Sequence, residues 1–212
     1  MKFDKSAMLL YAVTDRTWLG ARSLSEQVEE TISGGATFIQ LREKELSFEN
    51  FVKEAEEIKK LTDRYQIPFV INDNYEVAMA VNADGVHVGQ GDMNARELRK
   101  RIGDKILGVS AQTVEQAIKA EEDGADYIGV GAVYATSTKT DANLVAFETL
   151  QKICSTISIP VVAIGGLNEN NILALKGTGV DGVALVSAIF SKLDIAKATR
   201  ELHRLSWEMI TS

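Results

Sequence analysis

Eight short apolar runs recur along the chain, and each is followed by a polar residue or a glycine. Short runs rich in Val, Ile and Leu are typical of strands that are buried on both faces of a parallel sheet. The predicted strands are Leu9–Val13, Thr37–Leu41, Pro68–Ile71, Gly85–Val88, Lys105–Val109, Ala125–Val130, Pro160–Ile164 and Gly182–Val186.

The segments between these runs carry apolar residues three or four positions apart, as in Leu24, Val28 and Ile32. This spacing places the apolar side chains on one face of an amphipathic helix. Regular alternation of strands with helices indicates a parallel sheet covered by helices.

A repeat at the joint between helix and strand distinguishes between the parallel architectures. Its copies are Gly35–Ile39, Asn82–Val86, Gly124–Ile128 and Gly179–Val183, before the second, fourth, sixth and eighth strands. The first residue of each copy, Gly or Asn, can adopt the left-handed conformation that ends a helix. Four copies favour a closed barrel over an open sheet. We therefore predict an α/β fold in which residues 1–212 form a single-domain (β/α)8 TIM barrel.

The charge and the terminal sequence limit the class of partner. The net charge is −7 at pH 7 and no Lys/Arg cluster occurs, which argues against a nucleic-acid partner. Cys154 is the single cysteine, so a disulfide within the chain is excluded. No signal sequence or membrane span is recognisable, and we expect a cytoplasmic protein without a membrane partner. A homo-oligomer is left open.

Two cations follow the second strand. Gln40, Arg42 and Lys44 alternate along the chain, so in an extended conformation their side chains point to the same side. A guanidinium and an ammonium facing one cavity suit a diphosphate group. For Lys44 a solvated loop position is an equally good interpretation.

Carboxylates follow the third and fourth strands, at Asp73 after Asn72 and at Asp92. Magnesium is commonly held by one or two carboxylates, with water and phosphate oxygens as the remaining ligands. Each aspartate taken alone is equally well explained as a helix cap. The pair, beside Arg42 and Lys44, favours a metal site.

The loop after the sixth strand is the longest and most polar in the chain. Hydroxyls at Thr136, Ser137 and Thr138 suit phosphate binding, and Lys139 is placed to bridge to a second anion. An ordinary surface loop is the alternative. Gly165–Gly166 and Val186–Ser187 close the last two strands, where barrels often bind phosphate.

No nucleophile with a partnered base is recognisable, and His87, inside a strand, is interpreted as a hydrogen-bonded core residue. This indicates chemistry driven by stabilisation of a leaving group.

These motifs closely resemble those of the thiamine-phosphate synthase family over nearly the whole chain. The motifs are Gln40–Lys44, Asn72–Asp73, Gly89–Asp92, Gly108–Ser110, Thr136–Lys139, Ile164–Gly166 and Val186–Ser187. The resemblance implies a (β/α)8 barrel that joins hydroxymethylpyrimidine diphosphate to a thiazole phosphate, with magnesium, giving thiamine monophosphate and pyrophosphate.

The resemblance also implies a role for each matching residue. The pyrimidine diphosphate would contact Gln40, Leu41, Arg42, Glu43, Lys44, Asn72, Ser110 and Lys139. The thiazole phosphate would contact Thr136, Ser137, Thr138, Gly166, Val186 and Ser187. One magnesium ion would bind Asp73 and Asp92, and catalysis would depend on Arg42, Lys44, Ser110 and Lys139.

Two other functions are compatible with parts of this pattern. A thiazole tautomerase resembles the same barrel, but it has no need to hold a diphosphate with its metal, and the set Asp73, Asp92 and Lys139 argues against it. A phosphate-binding barrel without turnover, acting as a sensor or regulator, would retain the phosphate loops.

Overall fold

The computed structural model describes residues 4–136 and 144–211. Its eight parallel strands form a closed barrel in chain order, with β8 paired to β1. The strands are β1 (Leu10–Val13), β2 (Phe38–Leu41), β3 (Phe69–Asn72), β4 (Gly85–Val88), β5 (Ile106–Ala111), β6 (Tyr127–Val130), β7 (Val161–Ile164) and β8 (Gly182–Leu185). The predicted (β/α)8 barrel is confirmed, and each predicted strand overlaps an observed one.

Helices cover the outside of the barrel. They are α1 (Leu24–Ser33), α2 (Phe48–Tyr65), α3 (Tyr75–Ala80), α4 (Ala95–Ile102), α5 (Val114–Glu122), α6 (Phe147–Thr156), α7 (Ser187–Phe190) and α8 (Ile195–Thr211). Between β7 and β8 the connection contains a short 3-10 turn, Ile172–Leu175, while α7 and α8 both follow β8. None of the helices in residues 4–136 and 144–211 combines the length and the hydropathy that a membrane span requires.

The core has two layers because side chains alternate along each strand. Leu10 and Ala12 of β1 pack outward against the helices, whereas Tyr11 and Val13 face the barrel interior. Inside the barrel, the ring centroids of Tyr11 and Phe38 lie 4.5 Å apart, and those of Phe38 and Tyr127 lie 5.6 Å apart. These rings fill the interior and form the floor beneath the carboxyl ends of the strands.

The repeat has the backbone conformation that its sequence predicts. The first residue of each copy has a positive φ: 106° at Gly35, 51° at Asn82, 94° at Gly124 and 87° at Gly179. Each therefore reverses the chain from a helix or turn into the next strand, and the predicted left-handed positions are confirmed.

The third residue of each copy links its strand to the preceding one. The side chains of Thr37, Asp84, Asp126 and Asp181 each accept a hydrogen bond of 2.8 to 2.9 Å from a backbone N–H at the start of β1, β3, β5 or β7. Their own backbone N–H groups donate to the carbonyl of the same strand residue at 2.7 to 2.8 Å, or at 2.9 Å for Asp84. The four copies thus join the strands in pairs at the end of the barrel opposite the carboxyl ends.

Replacing one of these acceptors tests their contribution to stability. In Asp84→Ala the Phe69 N–H loses its partner, and leaving a buried donor unsatisfied costs roughly 1–3 kcal/mol. We expect a fall of that size in the free energy of unfolding, measured by urea denaturation. Asp104→Ala, at an exposed aspartate, is the control and should change it by less than about 0.5 kcal/mol. Equal values for the two variants would contradict this role of the repeat.

Candidate active site

A cavity of about 700 Å³ opens at the carboxyl ends of the strands. The strand ends bring together most of the side chains that the sequence assigns to the site. The predicted residues that line the cavity are Gln40, Arg42, Lys44, Asn72, Asp73, Asp92, Ser110, Thr136, Gly166, Val186 and Ser187.

Two predicted residues turn away from the cavity. The Leu41 side chain is fully buried in the outer layer, between the strands and the helices. The Glu43 carboxylate, with only 3% of its side chain exposed, pairs with Arg16 Nε at 3.1 Å, and Glu54 pairs with the same guanidinium. Neither Leu41 nor Glu43 is among the residues that line the cavity. Ser137, Thr138 and Lys139 lie outside the described residues.

The cationic side of the cavity is positioned by β2. The backbone N–H of Arg42 donates to Thr14 Oγ1 at 3.0 Å, which fixes the chain just beyond the strand. Lys44 Nζ lies 2.5 Å from Asp73 Oδ2, although about half of the lysine side chain remains exposed. Gln40, Arg42 and Lys44 all line the cavity, as their alternation along the end of β2 and the residues after it predicts.

The two predicted metal ligands lie next to each other. Asp73 follows β3 with a φ of 61°, and its N–H donates to the His87 carbonyl at 2.8 Å. Asp92 Oδ2 accepts from the Gly89 N–H at 2.7 Å. Partial burial, together with the neighbouring Asp73 carboxylate, raises the pKa of Asp92 above its ordinary value of 3.8. Two carboxylates that disfavour each other's charge suit a divalent cation, which favours both in the ionised form.

The carboxylate pair is a sparse ligand set. Within residues 4–136 and 144–211, no group of three or more His, Cys, Asp and Glu side chains could hold a metal ion. A magnesium ion at Asp73 and Asp92 would therefore take further oxygens from water and from a phosphorylated ligand, as this ion commonly does.

The glycines after β7 are required by both packing and conformation. Gly165 and Gly166 have φ values of 98° and 66°. A Cβ at Gly166 would lie 2.5 Å from the Ala135 carbonyl oxygen, and a Cβ at Gly165 would overlap Ala132. Both glycines also line the cavity, so this tight turn forms part of the cavity wall.

His87 is a site residue that the sequence reasoning missed. Both ring nitrogens are hydrogen bonded, as expected of a core histidine, but the partners are Tyr127 and Ser110 and the ring lines the cavity. Its neighbours Val86 and Val88 belong to the outer layer, so the residue between them faces inward. That alternation was readable in the sequence.

Comparisons with known proteins identify the family of this chain. A family model described as thiamine monophosphate synthase matches residues 10–189. The chain belongs to this family. The family that the sequence motifs resemble is thereby confirmed.

Relatives in the thiamine monophosphate synthase family cover nearly the whole chain. Thiamine-phosphate synthase of Clostridium tetani is 53% identical over 91% of this chain and 93% of its own length. The enzyme of the same name from Ruminiclostridium cellulolyticum is 54% identical over 91% and 92%. The solved thiamine phosphate pyrophosphorylase from Pyrococcus furiosus has a TM-score of 0.91 at 38% identity, covering 97% of this chain and 98% of its own.

The raised pKa of Asp92 predicts how the free energy of unfolding depends on pH. Because the folded-state pKa of Asp92 is raised, the folded protein binds protons more readily than the unfolded chain does. The stability that this proton contributes is present below the ordinary aspartate pKa and is lost as the pH rises through the raised pKa. In metal-free buffer, the free energy of unfolding of the parent protein should therefore fall relative to that of Asp92→Asn as the pH rises from the ordinary aspartate pKa through the raised pKa of Asp92.

Urea denaturation over this pH range measures the difference. Glu45→Gln, at an exposed carboxylate in the loop after β2, is the matched control and should follow the parent curve. Parallel curves for the parent and Asp92→Asn would show that folding does not raise the pKa of Asp92.

Proposed function

We propose that this cavity joins a hydroxymethylpyrimidine diphosphate to a thiazole phosphate, producing thiamine monophosphate and pyrophosphate. The observation that carries the proposal is the convergence of two cations, two interacting carboxylates and Ser110 in one cavity of a thiamine monophosphate synthase family member. The glycine turn after β7 and the residues after β8 lie across the barrel from this charged group. This separation supports the proposal that two phosphorylated molecules bind at different sides of the cavity.

The diphosphate is assigned to the side formed by β2 to β5. Arg42 offers a planar fork of donors and Lys44 a mobile positive charge, both suited to phosphate oxygens. Asn72 and Ser110 add neutral polar groups at the same rim. Asp73 and Asp92 would hold one magnesium ion, which supplies charge neutralisation at the diphosphate when bound.

The thiazole phosphate is assigned to the side formed by β6 to β8. Helix α7 begins at Ser187, and its cap residue Val186 makes no side-chain cap hydrogen bond. Backbone N–H groups in the first turn of a helix have no carbonyl partner inside the helix, so they suit an anion. Gly166 and Thr136 line the same side of the cavity. Ser137 and Thr138 are assigned here from the sequence resemblance.

The chemistry proposed for this site needs no general base. Arg42, Lys44 and Lys139 neutralise charge on the departing pyrophosphate, so the carbon–oxygen bond breaks early and leaves a methylene cation that the aminopyrimidine ring stabilises. The thiazole nitrogen then attacks with its lone pair, without losing a proton. This agrees with a His87 ring whose two nitrogens are both engaged by other side chains.

The cytoplasmic location, the absence of a nucleic-acid partner and the single magnesium ion stay predictions from the sequence, which leaves a homo-oligomer open.

Pyrophosphate release tests the reaction directly. We expect the purified protein to release pyrophosphate when both substrates and magnesium are present, and to stop when magnesium is chelated. A thiazole tautomerase would convert its thiazole substrate without releasing pyrophosphate, and a binding barrel would retain its ligands without turnover. Absence of pyrophosphate release with both substrates present would contradict the proposal.

Two substitutions test the charged side of the cavity. Removing one group that stabilises developing charge typically lowers kcat by roughly 10²–10³-fold, and we expect losses of that order in Lys44→Ala and Asp92→Asn. Steady-state kinetics measure the loss. Lys53→Ala, which removes an exposed lysine from α2, is the matched control and should retain parent activity. Parent-like kinetics in Lys44→Ala and Asp92→Asn would refute the assignment of the diphosphate to this side.

A further inference from the structure

A continuous series of hydrogen bonds crosses the barrel interior beneath the cavity. Gln40 Nε2 donates to the Tyr11 hydroxyl at 2.5 Å, and the hydroxyl oxygens of Tyr11 and Tyr127 lie 2.7 Å apart. The Tyr127 hydroxyl lies 2.9 Å from His87 Nδ1, and His87 Nε2 lies 2.9 Å from Ser110 Oγ. We call this series, from Gln40 to Ser110, the luminal chain.

The hydrogens of the luminal chain can all point in one direction. Burial raises the pKa of both tyrosine hydroxyls, so each keeps its hydrogen. Tyr11 accepts from Gln40, and its own hydrogen is then directed to Tyr127. If Tyr127 donated to Tyr11 instead, the buried Tyr11 hydrogen would lose the Tyr127 oxygen as its acceptor. An unsatisfied buried donor is costly.

The hydrogen bonds keep the same donor-to-acceptor direction through the His87 imidazole. Tyr127 donates to His87 Nδ1, and a neutral imidazole that accepts at Nδ1 carries its hydrogen at Nε2. His87 Nε2 therefore donates to Ser110 Oγ. The hydrogen of Ser110 is then available to the cavity that this residue lines.

Two glycines make room for this arrangement. A Cβ at Gly108 on β5 would overlap both the Tyr127 ring and His87 Nδ1, and a Cβ at Gly129 on β6 would lie 3.3 Å from His87 Cε1. The Tyr11 ring is held in turn by Phe38, at a centroid distance of 4.5 Å. Any side chain at Gly108 would therefore displace the Tyr127 and His87 rings.

The two ends of the luminal chain are groups that a ligand would contact. With one Nε2 hydrogen given to Tyr11, Gln40 has its Oε1 and a second Nε2 hydrogen for the cavity. A 4-aminopyrimidine presents an N–H donor beside a ring-nitrogen acceptor, which complements that carboxamide edge. A 4-oxopyrimidine presents an acceptor beside an N–H donor, which would require the opposite orientation of the amide.

We infer that Tyr11, Tyr127 and His87 are positioning residues that hold Gln40 in the orientation selective for a 4-aminopyrimidine and leave the Ser110 hydroxyl free to donate to the diphosphate. The inference rests on the proposed function, because it concerns the pyrimidine substrate of that reaction. An unrestrained glutamine would rotate its amide and accept both rings, so the luminal chain is the source of the discrimination.

Kinetic selectivity tests the inference. The parent, Tyr11→Phe and Tyr127→Phe are each assayed with the 4-amino pyrimidine diphosphate and with its 4-oxo analogue, and the ratio of the two kcat/KM values is compared. We expect the ratio to fall at least tenfold in both variants, with the KM for the thiazole phosphate unchanged. In the control Tyr75→Phe, whose hydroxyl contacts Glu76 and Arg101 on the helices, the ratio should stay at the parent value.

The outcomes separate the two proposals. A parent protein that makes no product from the 4-amino substrate overturns the proposed function itself. An active parent whose variants lose activity equally toward both rings, or keep the parent ratio, overturns only the positioning role.

A second measurement does not depend on the folding of the tyrosine variants. The chain has two histidines, so in His203→Gln the only imidazole is that of His87. Nitrogen-15 NMR of this protein should show a neutral ring with its hydrogen on Nε2. A ring with its hydrogen on Nδ1 would reverse the luminal chain and overturn the inference.

Discussion

The barrel depends on the hydrogen bonds that the third residue of each repeat makes with the preceding strand. Thr37, Asp84, Asp126 and Asp181 each accept through the side chain and donate through the backbone at one residue of that strand. Two bonds to one residue fix the register of the two strands. Register is decisive in this fold, because a shift by one residue would exchange inward-facing and outward-facing side chains. The cavity residues converge only because the register is kept around the whole ring.

The barrel interior above these hydrogen bonds combines close packing with buried polar groups. Tyr11, Phe38 and Tyr127 fill the space as aromatic rings, and the two tyrosine hydroxyls need hydrogen-bond partners inside the protein because both residues are buried. Buried polar networks of this kind are rigid when every member is satisfied. The floor of the cavity can therefore hold Gln40 and Ser110 in one orientation, which a floor of aliphatic side chains would not do.

The charges in the cavity favour ligand binding, but they destabilise the ligand-free protein. The chain has a net charge of −7, and two of its carboxylates, Asp73 and Asp92, lie next to each other in the cavity. Lys44 pairs with Asp73, while burial, together with the neighbouring Asp73 carboxylate, keeps the pKa of Asp92 raised. Strained electrostatics of this kind are concentrated at functional sites. A phosphorylated ligand that brings a divalent cation would complete the set of charges.

The sequence by itself determined the architecture, the end of the barrel that carries the chemistry and the family. Apolar runs, the repeat and the residues after each strand are local patterns, and alternation along β2 was enough to place Gln40, Arg42 and Lys44 on one side. The same rule excluded the side chains of Leu41 and Glu43, which had been included through the family resemblance. Only the tertiary structure decided the luminal chain, because its partners, such as Tyr11 and Tyr127, are 116 positions apart and meet only after the ring closes. Local periodicity predicts the face of the strand on which a side chain lies. Its hydrogen-bond partner depends on which residues the closed barrel brings opposite it.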